Sequence, residues 1–373
     1  MKNNKNIWLS RLLRLILPLV LLFGLIFGST LVKRQQIGPD TKAVYVHATV
    51  TSVEEDHANL YGSQQVQATI TSGEYKGQGC VLQNIYEHQG HVNCAPGARI
   101  SALVSQRADG TLSGRVYNYD RTPVVYLLLG LFALILIFVG GKKGAASLYA
   151  LVLTFVCILC MYIPLLYLGI NGILAAIATA VVILIGSLYL LNGWSGKTLC
   201  AIIGTTLGVG ISGLLAMLAG SGANLSGYDM EEVESMLFIS GRIGLDLKNI
   251  LYAGVLISSL GAVMDVSVSI VAAMQEVYEQ APKLKVSQLV ESGMRVGRDM
   301  MGTMSNTLIL AYTGSATGIL LGAYAYQWSY PQMMGNDAIV IEILCGLCGT
   351  IGVVLTVPIQ AGITALYLKR KDK

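Results

Sequence analysis

Charge is scarce in this sequence: Asp, Glu, Lys and Arg make up 12% of 373 residues, against about 25% in soluble globular domains. A chain so depleted cannot present an ordinary water-facing surface. Histidine is scarcer still, with four residues, His47, His57, His88 and His91, and none beyond position 91. Gly210-Ile-Ser-Gly213 has the Gly-x-Ser-Gly form of an intramembrane serine protease, which needs a histidine base on a neighbouring helix. With no histidine there, the motif reads as part of a small-residue face, Gly204, Gly208 and Gly213, that lets helices pack closely. No Gly-x-Gly-Asp, His-Glu-x-x-His or P-loop occurs. The reading is therefore no enzyme, no cofactor and no ATP-driven step in this chain.

What is present is apolar sequence in blocks, 54% of the chain overall. A spanning helix needs about 20 mostly apolar residues. Eight blocks qualify: Leu12 to Val32, Pro123 to Gly140, Ala145 to Leu168, Ile173 to Leu191, Leu199 to Ala219, Ile250 to Met274, Thr303 to Tyr324 and Ala338 to Tyr367. The first also has the basic start of a cleaved signal, but its run is long and no small-x-small cleavage site stands out, so a spanning helix is expected.

The formal charge of +4 does not point to nucleic acid, because the bases sit at block ends rather than in a patch. Lys2, Lys5, Arg11 and Arg14 precede the first block; Lys142, Lys143 and Lys197 follow the second and fourth. Lys283, Lys285, Arg295 and Arg298 follow the sixth, and Lys369 to Lys373 close the chain. The intervening loops are poor in bases, and the one after the fifth block is acidic, with Asp229, Glu231, Glu232 and Glu234. Under the positive-inside rule both ends are cytoplasmic, against the single contrary pair Lys33 and Arg34. The expected organisation is a cytoplasmic start and first helix (1–34), an extracytoplasmic β domain (35–121) and a seven-helix membrane domain (122–373), in a cell membrane.

Between residues 35 and 121 the apolar runs give way to period-two alternation, the mark of half-buried strands. Val44, Val46, Ala48 and Val50 alternate with polar or aromatic neighbours, as do Val66, Ala68 and Ile70. Further strands are expected at Gly79 to Gln83, Ala98 to Ser105 and Leu112 to Tyr119, with turns at Pro96-Gly97 and Asp109-Gly110. Five short antiparallel strands suit a small closed or partly open barrel, the OB type included, or a two-sheet sandwich. No cluster of exposed aromatics and bases stands out, so the domain reads first as a protein-contact or gating module.

Cys80 and Cys94 fall in this domain, where a disulfide is one reading. Free thiols in an ordinary loop are another. His88-x-x-His91-x-x-Cys94 also has metal-ligand spacing, a third reading that excludes the disulfide at Cys94. The remaining cysteines, Cys157, Cys160, Cys200, Cys345 and Cys348, lie within spans and read as small packing residues.

Polar residues inside the spans collect in the sixth and seventh. Asp265 sits well within the sixth, where an acid costs about 2.5 to 3.5 kcal/mol on insertion scales. Ser258, Asp265, Ser269 and Glu276 are spaced to share one helix face. Thr303, Asn306, Thr307 and Thr313 in the seventh are expected to hydrogen-bond across to it. Between them, Pro282 to Asp299 reads as an amphipathic helix at the cytoplasmic surface. Glu342 and Gln360 are further irregularities in the eighth span, and Pro358 predicts a kink there. This seam is either helix-helix glue or a permeation or coupling site.

The stretches Gly261-Ala-Val-Met-Asp-Val-Ser-Val-Ser-Ile270 and Gly297-Arg-Asp-Met-Met-Gly-Thr-Met-Ser-Asn-Thr-Leu-Ile-Leu-Ala-Tyr312 resemble the YibE/F family of bacterial membrane proteins. The resemblance runs from about Pro123 to Leu368, and the β domain is similar to the longer, YibE-type members. It implies a permease-like layout with no particular chemistry. Asp265, Ser269, Arg298, Asp299, Thr303, Asn306 and Thr307 fall in the family's motifs. As partners it implies the lipid bilayer and either a YibF-type membrane protein or a homo-oligomer. The leading expectation is a non-ATP-driven transporter or channel-like subunit; the alternative is a membrane scaffold or assembly factor that presents the β domain to a partner.

Overall fold

A computed structural model describes residues 20–32, 43–56, 63–85, 92–107, 110–228, 236–237, 239–241 and 244–370. It divides into two compact units, Gln35–Val139 and Met1–Arg34 with Gly140–Lys373.

In the first unit the alternation becomes five strands: β1 (Val44–Asp56), β2 (Ser63–Ile70), β3 (Gly79–Ile85), β4 (Arg99–Gln106) and β5 (Leu112–Tyr119). They close into a barrel in the order β1-β2-β3-β5-β4, so the sandwich alternative falls away. Every second side chain points inward, and Val46, Val66, Leu82, Ile100, Ala102 and Val104 have no exposed surface. One expectation needs correction: β3 and β5 pair in parallel, with Val81 opposite Ser113 and Gln83 opposite Arg115. Arithmetic demands it. Strand directions cannot alternate all the way round a closed ring with an odd number of members, so at least one neighbouring pair must run the same way. Gly114 lies where β5 crosses closest to β4, and a Cβ there would run into the Leu103 carbonyl and approach Val104 Cα to 2.9 Å.

The described helices are α1 (Val20–Leu31), α2 (Thr122–Cys157), α3 (Ile163–Tyr167), α4 (Gly172–Asn192), α5 (Gly196–Gly222), α6 (Leu247–Gln280), α7 (Val286–Ser315), α8 (Thr317–Ala325), α9 (Tyr330–Met334) and α10 (Asp337–Arg370). Their starts follow local chemistry. Asn171 accepts from the Ile173 and Leu174 amides, Ser195 from Thr198 and Asp246 from Lys248, each satisfying a donor the first helical turn leaves unpaired. Gly193 leaves α4 at a φ of 72°. Pro164 has no N–H to give Cys160 four residues back, and the chain widens into a π turn over Ile158–Tyr162 just ahead of it.

By length and composition, five helical stretches among the described residues can cross a membrane: Thr122–Tyr167, α4, α5, α6 and α10. A sixth forms if α7 and α8, bent by 60° at their junction, count as one broken span. The second and third expected spans are therefore one apolar stretch, interrupted at Gly141, whose φ of 54° and ψ of −130° are non-helical. The first block is described only from Val20 onward, as the 12-residue α1; its residues 12–19 lie outside the described residues. A second correction concerns Pro282 to Asp299. It is no separate surface helix, because α7 is a single helix of 30 residues. Gly293 and Gly297 let it sit close to α6 and α10, where an added Cβ would meet Met274 and Val357.

The helical core runs through Leu153, Ile183, Val263, Ile270, Met274 and Val353. The small-residue face of α5 does what its composition predicts: Gly204 faces Gln360, Gly208 faces Thr356 and Gly213 faces Leu256, each too close for a side chain. Ser212 spends its hydroxyl on the Gly208 carbonyl of its own helix, 3.3 Å away. Pro358 sits inside α10, which continues through it.

Candidate functional site

The polar residues of α6 present a long face. Ser258, Asp265 and Glu276 are exposed and Ser269 is half-buried, on the side of the helix opposite Val263 and Ile270. Asp265 has no hydrogen-bond or ion-pair partner among the described residues, and Glu276 only accepts from Gln280 in its own helix at 3.2 Å. On α7, Thr303, Asn306 and Thr307 are exposed. Their hydroxyls bond back along their own helix, Thr303 to the Met300 carbonyl and Thr307 to that of Thr303, both at 2.9 Å. Arg298 and Asp299 are exposed one turn earlier. The expected hydrogen bonds from these threonines to the Asp265 face are not made. Serine and threonine inside a helix have a carbonyl within reach three or four residues back, and the local bond wins.

The bond that does cross between the two helices is nearer the other end: Tyr312 donates its hydroxyl to Ser258 Oγ at 2.5 Å. Tyr312 belongs to a cluster that sequence reasoning did not assemble. α7 ends at Ser315, the chain turns at Ala316, and α8 sets off at 60°. The last carbonyls of α7 are met by local groups: Tyr312 O accepts from the Ala316 amide and the Ser315 hydroxyl, and Gly314 O from Thr317 Oγ1. Ser315 Oγ also lies 3.1 Å from Glu342 Oε2, a half-buried carboxylate on α10. Two cavities flank this point. One of about 670 Å³ reaches Gly254 and Ser258 on α6. The other, about 310 Å³, is walled by Ile309, Leu320 and Met333. Tyr312, Ala316 and Glu342 line both. The signal in the sequence is Gly314-Ser-Ala-Thr-Gly318, a run of small and hydroxyl residues inside an apolar block.

In the barrel, His88 and His91 lie outside the described residues. Cys94 is buried in the barrel core beside Asn84, whose amide nitrogen lies 3.6 Å from its sulfur. Cys80 is buried too and bonds the Ala68 carbonyl at 3.4 Å. In the structure both are free thiols. Burial pushes each thiol up to about 11, which keeps it protonated at neutral pH. Among the described residues no group of three His, Cys, Asp or Glu side chains is placed to hold a metal.

The barrel surface corrects another expectation. Tyr45, Tyr117, Tyr119 and Tyr126 line a groove of about 520 Å³ with His47 and Arg121. Tyr45 meets Tyr117 edge-on at 5.5 Å. They come from β1, β5 and the first turn of α2, so only closure of the barrel brings them together. In the same groove His47 Nδ1 lies 3.3 Å from Asp120 Oδ1 and 3.4 Å from Ser101 Oγ. Serine and acid share one ring nitrogen, whereas a nucleophilic relay needs them on opposite nitrogens. The trio orders the barrel-to-helix junction instead, with Asp120 Oδ1 also accepting from the Thr122 amide at 3.1 Å.

No curated protein and no solved structure matches the chain. A family model described as YibE/F-like protein matches residues 128–370, from within α2 to the last residue of α10. That match takes in the α6 face, the α7–α8 break and Glu342, leaves the barrel outside it, and covers well over half of the sequence, so the chain belongs to the YibE/F-like family.

Proposed function

We propose that this protein is a transporter or channel-like permease subunit, not driven by ATP, whose pathway follows α6 and α7 and passes the break before α8. The observation that carries the reading is that break, where a half-buried carboxylate lies between two partly open cavities walled mostly by apolar residues. Discontinuous helices are where transporters place their sites, because only there does irregular backbone line a cavity at membrane depth. Asp265 supports it: an unpartnered acid in the middle of a spanning helix has a cost that a packing role alone does not offset.

In this reading the apolar blocks form eight spans, α2 being divided at Gly141, with both ends in the cytoplasm and the barrel, of OB type, outside the cell membrane. A YibF-type protein or a second copy covers the exposed Asp265 face. The deciding experiment compares Asp265→Asn with wild type for flux in reconstituted vesicles and for folded protein by size exclusion. Asn keeps size and hydrogen bonding but loses the charge. Flux should fall at least tenfold with folded protein unchanged; unaltered flux would sink the pathway along α6.

One observation favours the scaffold reading: the tyrosine groove, which is the kind of surface a barrel offers to a partner. There Tyr45→Ala with Tyr117→Ala should abolish the protein's cellular role while flux in vesicles persists.

A further inference from the structure

We infer that the α7–α8 break is a binding site for one monovalent cation, held by Glu342 with the hydroxyls of Ser315, Tyr312 and Ser258. The inference deepens the pathway reading and rests on it for the ion's use, though ion binding itself is measured apart from flux.

Four features of the site point to the ligand. Among the described residues its polar side chains are one carboxylate and three hydroxyls, with the Thr313 hydroxyl and the Cys345 thiol also in the cavity walls, and none of the described lining residues of either cavity is Lys, Arg or His. Oxygen sets of this kind take hard cations. Glu342 Oε2 lies 3.1 Å from Ser315 Oγ, whose single proton has the nearer Tyr312 carbonyl at 2.8 Å, and Oε1 accepts no hydrogen bond among the described residues, which leaves a coordination position on the carboxylate.

The C-terminus of α7 and the N-terminus of α8 meet at Ala316, so their opposite end charges offset one another. The carboxylate then sets the sign of the site. Its single negative charge is neutralised by a single positive one; a divalent ion would leave an uncompensated charge in a mostly apolar cavity, which costs several kcal/mol or more.

Tyr312 and Glu342 line both cavities, so an ion at the carboxylate borders each of them. An ion that leaves toward the first cavity passes Ser258; one that leaves toward the second passes Thr313 and the apolar wall of α9. Tyr312, bonded to Ser258, stands between these routes.

The test uses the purified full chain in detergent. Thermal unfolding is followed in sodium, potassium or lithium chloride against choline chloride at constant ionic strength and pH 8. The expected result is a midpoint that rises saturably with one of the alkali cations. In Glu342→Gln, which keeps shape and removes the charge, whichever dependence the wild type shows is lost, and the variant unfolds near the ion-loaded wild type. Ser315→Ala should raise the half-saturating concentration several-fold and serves if Glu342→Gln fails to fold. The inference is overturned by equal cation dependence in wild type and Glu342→Gln, by no dependence in the wild type, or by stabilisation with calcium but with no monovalent cation. Ion binding without flux overturns the pathway and leaves the site standing.

Discussion

Gly208 and Gly210 are two residues apart on α5, yet a methyl group meets opposite fates at them. At Gly208 it collides with Thr356 and comes within 2.8 Å of Val263; at Gly210 nothing lies within 4 Å. Gly208→Leu should therefore cost at least the ~1 to 3 kcal/mol typical of overpacking, while Gly210→Ala should be neutral or stabilising. The yield of monodisperse protein and its unfolding midpoint measure both. Cys80 and Cys94, external in the proposed topology, should resist a membrane-impermeant maleimide at pH 7.5 while the barrel is folded, since the thiols are buried and held near 11. Both should react after denaturation, read by mass spectrometry; fast labelling of the native chain would contradict the packed barrel core. Asp120 carries a sign that can be worked out. Burial raises its carboxyl, but hydrogen bonds from the Thr122 hydroxyl and amide, with His47 and Arg99, outweigh it and hold it below the ordinary value. Its stabilisation is then complete above the unfolded value of about 3.9 and lost as pH falls through the folded one. The gap in unfolding midpoint between wild type and Asp120→Asn should be full at pH 6 and close in stronger acid.

Elements differ in how much of themselves the sequence discloses. β2 was plain, because Val66, Ala68 and Ile70 alternate with Gln65, Gln67 and Thr69 and bury as alternation dictates. α7 was misread in one respect. Val286, Leu289, Val290 and Met294 on a polar background look like a helix lying on a membrane surface, and nothing local distinguishes that from a helix packed end-on. The deciding residues are Gly293 and Gly297, whose value lies in the neighbours they admit, Met274 and Val357, which are remote in sequence. The break after Ser315 was hidden for a related reason: its carbonyls are capped by Ser315 and Thr317 hydroxyls, so no proline marks it. Gly141 shows the opposite case, a break written in the residue itself. Its φ of 54° with ψ of −130° is a conformation only glycine holds without strain. Gly141→Ala should cost about 1 to 3 kcal/mol and lower the yield of folded protein, whereas Gly140→Ala, with nothing within 4 Å of its Cβ and no such dihedral, should not.

For the molecule as a whole, charge placement along the chain made a membrane protein legible from composition and block length. The tyrosine groove and the Glu342 cluster were not legible, since each gathers residues from elements separated by tens of positions. A topology experiment belongs at this scale: reporter fusions at Lys197 and Lys373 should both read cytoplasm, and an external Lys373 would overturn the eight-span arrangement. The closed strand order has one more consequence, for the timing of synthesis. β1 must hold β4, and β5 must slot between β3 and β4 before the ring is sealed. β5 ends at Tyr119, and α2 starts at Thr122. A ribosome making this chain therefore cannot release a finished barrel and then begin the next membrane segment. The last stave arrives on the same stretch of nascent chain as α2, so the barrel can close only after α2 has begun to be made, and a pause placed where Tyr119 has just cleared the exit tunnel should raise the folded yield.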